Sequence, residues 1–234
     1  MKKVAQRTAP IILLALLSAG FLLFIVPRTE AQQIFSDPLG DTFNEYGTSV
    51  STDAYVDITG AELYRAGTTY IARIIVNGPL PKDIETDASL RWELLMDTDR
   101  NPTTKSSLWT PWPLIDNGIG VDAVAKVEIH SERPYTADIY PNGPMYWKIL
   151  NGTIVEMRFD SSVIGNPPAF DFAMVVTKYV GIHMVGADKI PNVGHFTYSD
   201  GSVTAIPEFN DSLQVMIALV TLTAGATTIK SCKR

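Results

Sequence analysis

The chain has 234 residues, 19 Lys+Arg against 25 Asp+Glu, and a formal net charge of −6. Hydrophobic residues make up 46%, enough for a core, which excludes a wholly disordered chain. The acidic balance argues against nucleic acid as a partner, and a single cysteine, Cys232, excludes a disulfide framework and a Cys-based zinc site.

At the N-terminus Lys2, Lys3 and Arg7 surround the start of an apolar run over residues 10–26, followed by Pro27-Arg28-Thr29-Glu30-Ala31. This is the layout of an export signal cleaved after Ala31, and the run is also long enough to stay as an uncleaved anchor. Residues 1–31 are therefore expected to be a signal peptide or N-terminal anchor, and residues 32–204 the folded domain. Residues 205–234 are expected to be a linker and a transmembrane anchor. Residues 213–229 hold no charge; at about 1.5 Å per residue they span roughly 25 Å as a helix. Lys230, Lys233 and Arg234 follow directly, as the positive-inside rule asks of a cytoplasmic end. The expected location is the cell membrane, anchored through residues 213–229 with the main domain extracellular. Each end carries +3, which leaves −12 on residues 32–212.

The domain between them reads as all-β. Residues 55–64 alternate, Ala66-Gly67-Thr68 turns, and residues 69–76 return, which predicts a hairpin. Further strands are predicted over 90–96, 121–129, 145–150, 153–159 and 170–178, with one short helix near 161–164. Leu150-Asn151-Gly152-Thr153 is the sharpest hairpin signal, because Asn-Gly tolerates the positive φ of a tight turn. Many short strands at this spacing favour a sandwich or barrel over βαβ units. Trp92 alternates inside a strand and is expected in the core, while Trp147 fits either core or surface.

Asp97-Thr98-Asp99-Arg100-Asn101 places three oxygen-bearing side chains at alternate positions after a strand. Such a turn can wrap calcium, which asks for about six to eight oxygens, with Asp122 or Asp116 as helpers. Pro102 and Leu108 stand where an EF-hand needs Gly and Glu, so that motif is excluded. The competing reading is a polar turn whose Asp residues cap backbone N–H groups. Asp37, Asp41 and Asp57 could form a second oxygen site, against the simpler reading of an Asx-turn. Trp109 and Trp112, in the Pro-rich loop 102–119, are a candidate stacking platform for a ligand, or a lid over the sandwich. Asn151-Gly152-Thr153 and Asn210-Asp211-Ser212 match the N-glycosylation acceptor. No Gly-x-Ser-x-Gly or His-Glu-x-x-His occurs, and paired carboxylates for glycoside hydrolysis leave no local signature, so no enzyme is expected.

Six segments occur in a telling order: Asp37-Pro38-Leu39-Gly40-Asp41, Asp57-Ile58, Leu95-Met96-Asp97-Thr98-Asp99-Arg100-Asn101, Gly120-Val121-Asp122, Gly152-Thr153-Ile154-Val155-Glu156 and Pro191-Asn192-Val193-Gly194. Over roughly residues 34–200 this order resembles the DOMON-like and family 9 carbohydrate-binding-module-like β-sandwiches of secreted microbial proteins. The resemblance implies an antiparallel jelly-roll-like sandwich that binds sugar, calcium or, in one branch, haem through His and Met. It raises the expectation of calcium at Asp97, Asp99, Asn101 and Asp122, and points to His183-Met184 as the haem alternative. The lead-in Ile206-Pro207-Glu208-Phe209 resembles the tails of archaeal surface proteins, where it precedes an anchor or sorting segment. The expected function is a surface-anchored, non-catalytic binding module for carbohydrate with a structural calcium. The alternatives are a structural surface protein without a small-molecule ligand, or a haem-binding redox module.

Overall fold

In the computed structural model the described residues are 34–104, 118–141, 143–199 and 201–206. The segments 1–31 and 207–234, the Trp109–Trp112 pair and Asn210 lie outside them. Among the described residues no helix is long and apolar enough to cross a membrane.

The architecture is all-β, as the sequence predicts. The strands are β1 (Ile34–Ser36), β2 (Ile58–Ala66), β3 (Thr69–Val76), β4 (Ala88–Asp97), β5 (Ala123–His130), β6 (Arg133–Tyr140), β7 (Met145–Leu150), β8 (Ile154–Asp160), β9 (Ala169–Val180), β10 (His183–Ile190), β11 (His195–Ser199) and β12 (Ser202–Ile206). They form two antiparallel sheets. One runs β1-β2-β3-β8-β7, the other β12-β11-β9-β4-β5-β6, with β10 also bonded to β9. Strand β9 is long enough to serve two neighbours in turn. Ala169 to Phe172 pair with β11, and Met174 to Val180 pair with β10.

Period-2 alternation explains the packing of the first sheet. In β3, Tyr70, Ala72, Ile74 and Val76 point inward, while Ile71, Arg73 and Ile75 point outward. The inner faces meet in one core. Tyr70 sits edge-on to Phe170 and Tyr198, with ring centroids 5.3 and 5.2 Å away. Trp92 is fully buried, as expected, and stacks on Tyr135 at 5.9 Å. Half-buried Trp147 closes this row against Tyr135 at 5.4 Å.

The residues of β4 alternate, but their burial does not. Leu90, Trp92, Leu94 and Met96 fill the main core, and Leu95 joins a second buried cluster with Ile119, Val121, Val124, Val175 and Met184. Both central strands are covered on both faces, so polar side chains are buried there too: Ser89 and Glu93 in β4, and Asp171, Thr177 and Lys178 in β9. Strands β6 and β10 to β12 and the short β1 are not predicted. Strand β6 is an exposed edge with Pro134 near its start, and β10 carries Gly186 and Asp188, so neither has the expected apolar pattern. The predicted helix is a single 3-10 turn, Ser161–Ile164, capped by Asp160 and by Gly165 at φ 81°.

The β7–β8 hairpin forms where predicted. Thr153 N–H donates to Leu150 C=O at 3.2 Å, and Asn151 and Gly152 take φ of 52° and 75°. Replacing Gly152 with Val puts a branched Cβ at positive φ and is expected to cost roughly 1–2 kcal/mol of stability, read as a lowered urea midpoint with an unchanged m-value. An unaltered midpoint would show that the turn relaxes freely.

Candidate functional site

The predicted turn after β4 does gather its carboxylates. Single carboxylate oxygens of Asp97, Asp99 and Asp122 lie within 4.8 Å of one another. Strand β4 ends at Asp97, and Asp122 N–H donates to Met96 C=O at 2.8 Å, which fixes Asp122 beside it. These oxygens have local donors. Asp97 accepts from Asn101 N–H at 3.1 Å and Gly120 N–H at 2.9 Å. Asp122 Oδ2 accepts from Thr98 N–H, the Thr98 hydroxyl and Asp99 N–H at 3.0, 3.2 and 3.3 Å. Asp99 Oδ1 accepts from Asn101 N–H at 2.9 Å and the Thr104 hydroxyl at 3.0 Å. Asn101 turns its side-chain oxygen onto Thr103, N–H at 3.1 Å and hydroxyl at 2.7 Å. Gly120 packs so closely on the carbonyls of Asn101 and Thr104 that a Cβ there would collide with both. Burial raises the Asp97 carboxyl to about 6. Arg100 reaches over to Asp171 on β9, Nε to Oδ1 at 3.3 Å.

A second cluster forms where Asp37, Asp41 and Asp57 were expected to meet, but its third close member is Asp188 from β10. Oxygens of Asp37, Asp41 and Asp188 lie within 4.8 Å of one another. Asp57 instead braces the turn, accepting from Gly40 N–H at 3.0 Å and from Asn77 Nδ2 at 2.9 Å. Asp188 accepts from Ile58 N–H at 2.6 Å and from Lys189 N–H at 2.8 Å, which ties the β10 edge to β2 of the other sheet. Asn192 Nδ2 donates to Asp37 Oδ1 at 3.2 Å and to Asp41 Oδ2 at 2.6 Å. Sequence reading misses Asp188. No local pattern marks it, because Gly186-Ala187-Asp188-Lys189-Ile190 has neither an apolar run nor a clean alternation.

The outer face of the first sheet was not singled out in the sequence at all. Strand register sets two rows across it. Glu62, Arg73, Glu156 and Lys148 form one, and Tyr64, Ile71, Arg158 and Tyr146 the next. The Glu156 side chain has no solvent exposure and lies under three cations: Arg158 Nε at 2.6 Å, Arg73 Nε at 2.7 Å and Lys148 Nζ at 3.2 Å. Burial alone would raise its carboxyl, but bonds from Arg158, Arg73 and Lys148 outweigh it and hold the group below the usual range. Beside this ladder opens a cleft of about 510 Å³, whose walls include Tyr146, Trp147, Lys148, Glu156, Arg158 and Asp160. The Tyr146 side of this cleft is open, the residue being 80% exposed.

His183 and Met184 are neighbours in β10 and part ways. His183 is exposed and pairs with Glu45 at 3.2 Å, while Met184 is buried in the second apolar cluster. They do not converge on one pocket. Asn151 is exposed at its turn.

No family model matches the chain, and no curated protein matches it.

Proposed function

We propose that the chain is a cell-surface, membrane-anchored, non-catalytic module that binds carbohydrate on the outer face of its five-stranded sheet. One observation carries this reading: the cleft that sets the open Tyr146 ring beside Lys148, Glu156, Arg158 and Asp160. A sugar ring has apolar C–H faces and a rim of hydroxyls. The exposed Tyr146 ring suits the faces, and charged donors and acceptors suit the rim. Strand-borne side chains locked in an ion ladder are also preorganised, which lowers the entropic cost of binding. In this reading the sandwich stands outside the cell on residues 213–229. The structural calcium of this reading sits at Asp97, Asp99, Asn101 and Asp122, a place supported by the three carboxylates that bring oxygens within 4.8 Å of one another.

The test is a titration of the detergent-solubilised full chain with cellobiose, maltose and diacetylchitobiose, followed by tryptophan fluorescence. Saturable binding is expected, weakened about tenfold by Tyr146→Ala through lost ring contact. Silence with all three sugars favours the structural surface protein that packs against neighbours and takes no small ligand.

A further inference from the structure

The two edges of the sandwich differ. At one, β1 ends the first sheet and β12 ends the second. They come together there. The Phe35 ring of β1 lies 4.3 Å from Phe196 of β11, and a groove of about 410 Å³ runs between Ile34, Pro38, Pro191, Phe196 and Ala205. At the other edge β6 meets β7, with Tyr135 and Trp147 in ring contact at 5.4 Å.

The first strand begins at Ile34 and the last ends at Ile206, so both lie on the β1 and β12 edge. Large apolar side chains stand open around it: Ile34, Leu39 and Val193 are 63, 65 and 63% exposed. Asn192 fastens the Leu39 turn to the Val193 turn by donating to Asp37 and Asp41. His195, two residues past Val193, pairs with Ile206. Single exposed apolar residues are ordinary, but three gathered around one chain exit form a surface to be covered.

We infer that the domain lies on the lipid bilayer through its β1 and β12 edge, with Ile34, Leu39 and Val193 entering the headgroup boundary. The inference rests on the membrane anchor proposed above. Residues 207–212 separate Ile206 from the apolar run 213–229 and reach at most about 20 Å. So short a tether keeps this edge near the bilayer, and apolar side chains gain by leaving water at the boundary. The acids behind them are no bar. Burial, with Asp188 and the other neighbouring carboxylates, pushes Asp37 up to about 8, and burial raises Asp188 to about 7, so both shed charge near neutral pH. The β7 cleft lies four strand spacings from β1, about 19 Å away, so this orientation holds it clear of the lipid.

The experiment uses the full chain in phosphatidylcholine vesicles, with its one cysteine changed by Cys232→Ser. A fluorophore is placed in turn at Leu39→Cys, Val193→Cys and, on the far edge, Asp138→Cys of β6. Vesicles are then prepared with and without nitroxide-bearing phosphatidylcholine. The proteins should float with the vesicles. The labels at 39 and 193 should lose emission to the nitroxide lipid, and the label at 138 should keep its full emission. Adding Leu39→Ser to the Val193→Cys protein should weaken the loss at 193, because the apolar contact is shared. Flotation with the labels at 39 and 193 as bright as the one at 138 overturns the inference and leaves the anchor standing. Equal quenching of all three, the mark of a chain that unfolds on lipid, overturns it too. So does a loss at 193 that Leu39→Ser leaves unchanged, since the tether alone would then hold the edge near the bilayer. Proteins that do not float overturn the anchor itself and this inference with it.

Discussion

Replacing Glu156 with Gln is expected to lower the unfolding free energy by roughly 3 kcal/mol at pH 7, among the largest effects of any single substitution on the sheet face. The carboxylate is fully covered and receives Arg73, Arg158 and Lys148 at 2.7, 2.6 and 3.2 Å. Gln keeps one carbonyl acceptor and turns an N–H₂ donor toward the cations, so the cluster loses its charge and gains a clash of donors. The sign with pH follows from the lowered carboxyl. The ladder's contribution is full above the unfolded value near 4.5 and fades as pH falls through the folded value. Wild type and Glu156→Gln should therefore converge in acid. Urea unfolding at pH 7 and pH 3 measures both. A difference below about 0.5 kcal/mol at pH 7 would place the ladder among ordinary surface ion pairs.

Glu93 should shape the other side of the pH profile. It lies mid-strand in β4, opposite Lys126 of β5 and Val175 of β9, and is 1% exposed. Burial raises its carboxyl to about 7. Arg91 and Lys126 pull the other way, and Glu128 and Asp138 add to the rise. An acid raised on folding binds its proton more tightly in the native state. Stability from this group is thus full below about 4.5 and lost as pH rises through about 7. The loss is roughly 3 kcal/mol across that window. Glu93→Gln removes the titration, so the variant should be the more stable protein at pH 8 and near wild type at pH 4. Thermal midpoints of both proteins from pH 4 to pH 8 decide it, since only Glu93 differs between them. Parallel profiles would mean that Glu93 stays ionised on folding.

Much of the sheet-face site was within reach of the sequence. Once Asn151-Gly152 is placed in a hairpin, pairing outward from it puts Lys148 opposite Glu156 and Tyr146 opposite Arg158. Alternation then puts all four on one face, away from Trp147 and Met157. The missing step was which face is solvent, and that depends on where the second sheet lies. The aspartate clusters divide in the same way. Asp97, Asp99 and Asp122 are legible because a turn and the neighbouring strand bring them together. Asp188 joins Asp37 and Asp41 across about 150 residues, and no local spacing encodes that meeting.

The all-β class, seven of the strands and the tight turns were legible in the sequence. These are local properties: side-chain periodicity, runs of apolar residues, and the backbone freedom of Asn and Gly. It also set the charge pattern at the two ends that underlies the proposed topology. Which edge strands join, which carboxylates come together and which of those find a hydrogen-bond donor emerged in three dimensions. Those outcomes depend on pairing between distant segments and on desolvation, and both exist only after the two sheets have packed.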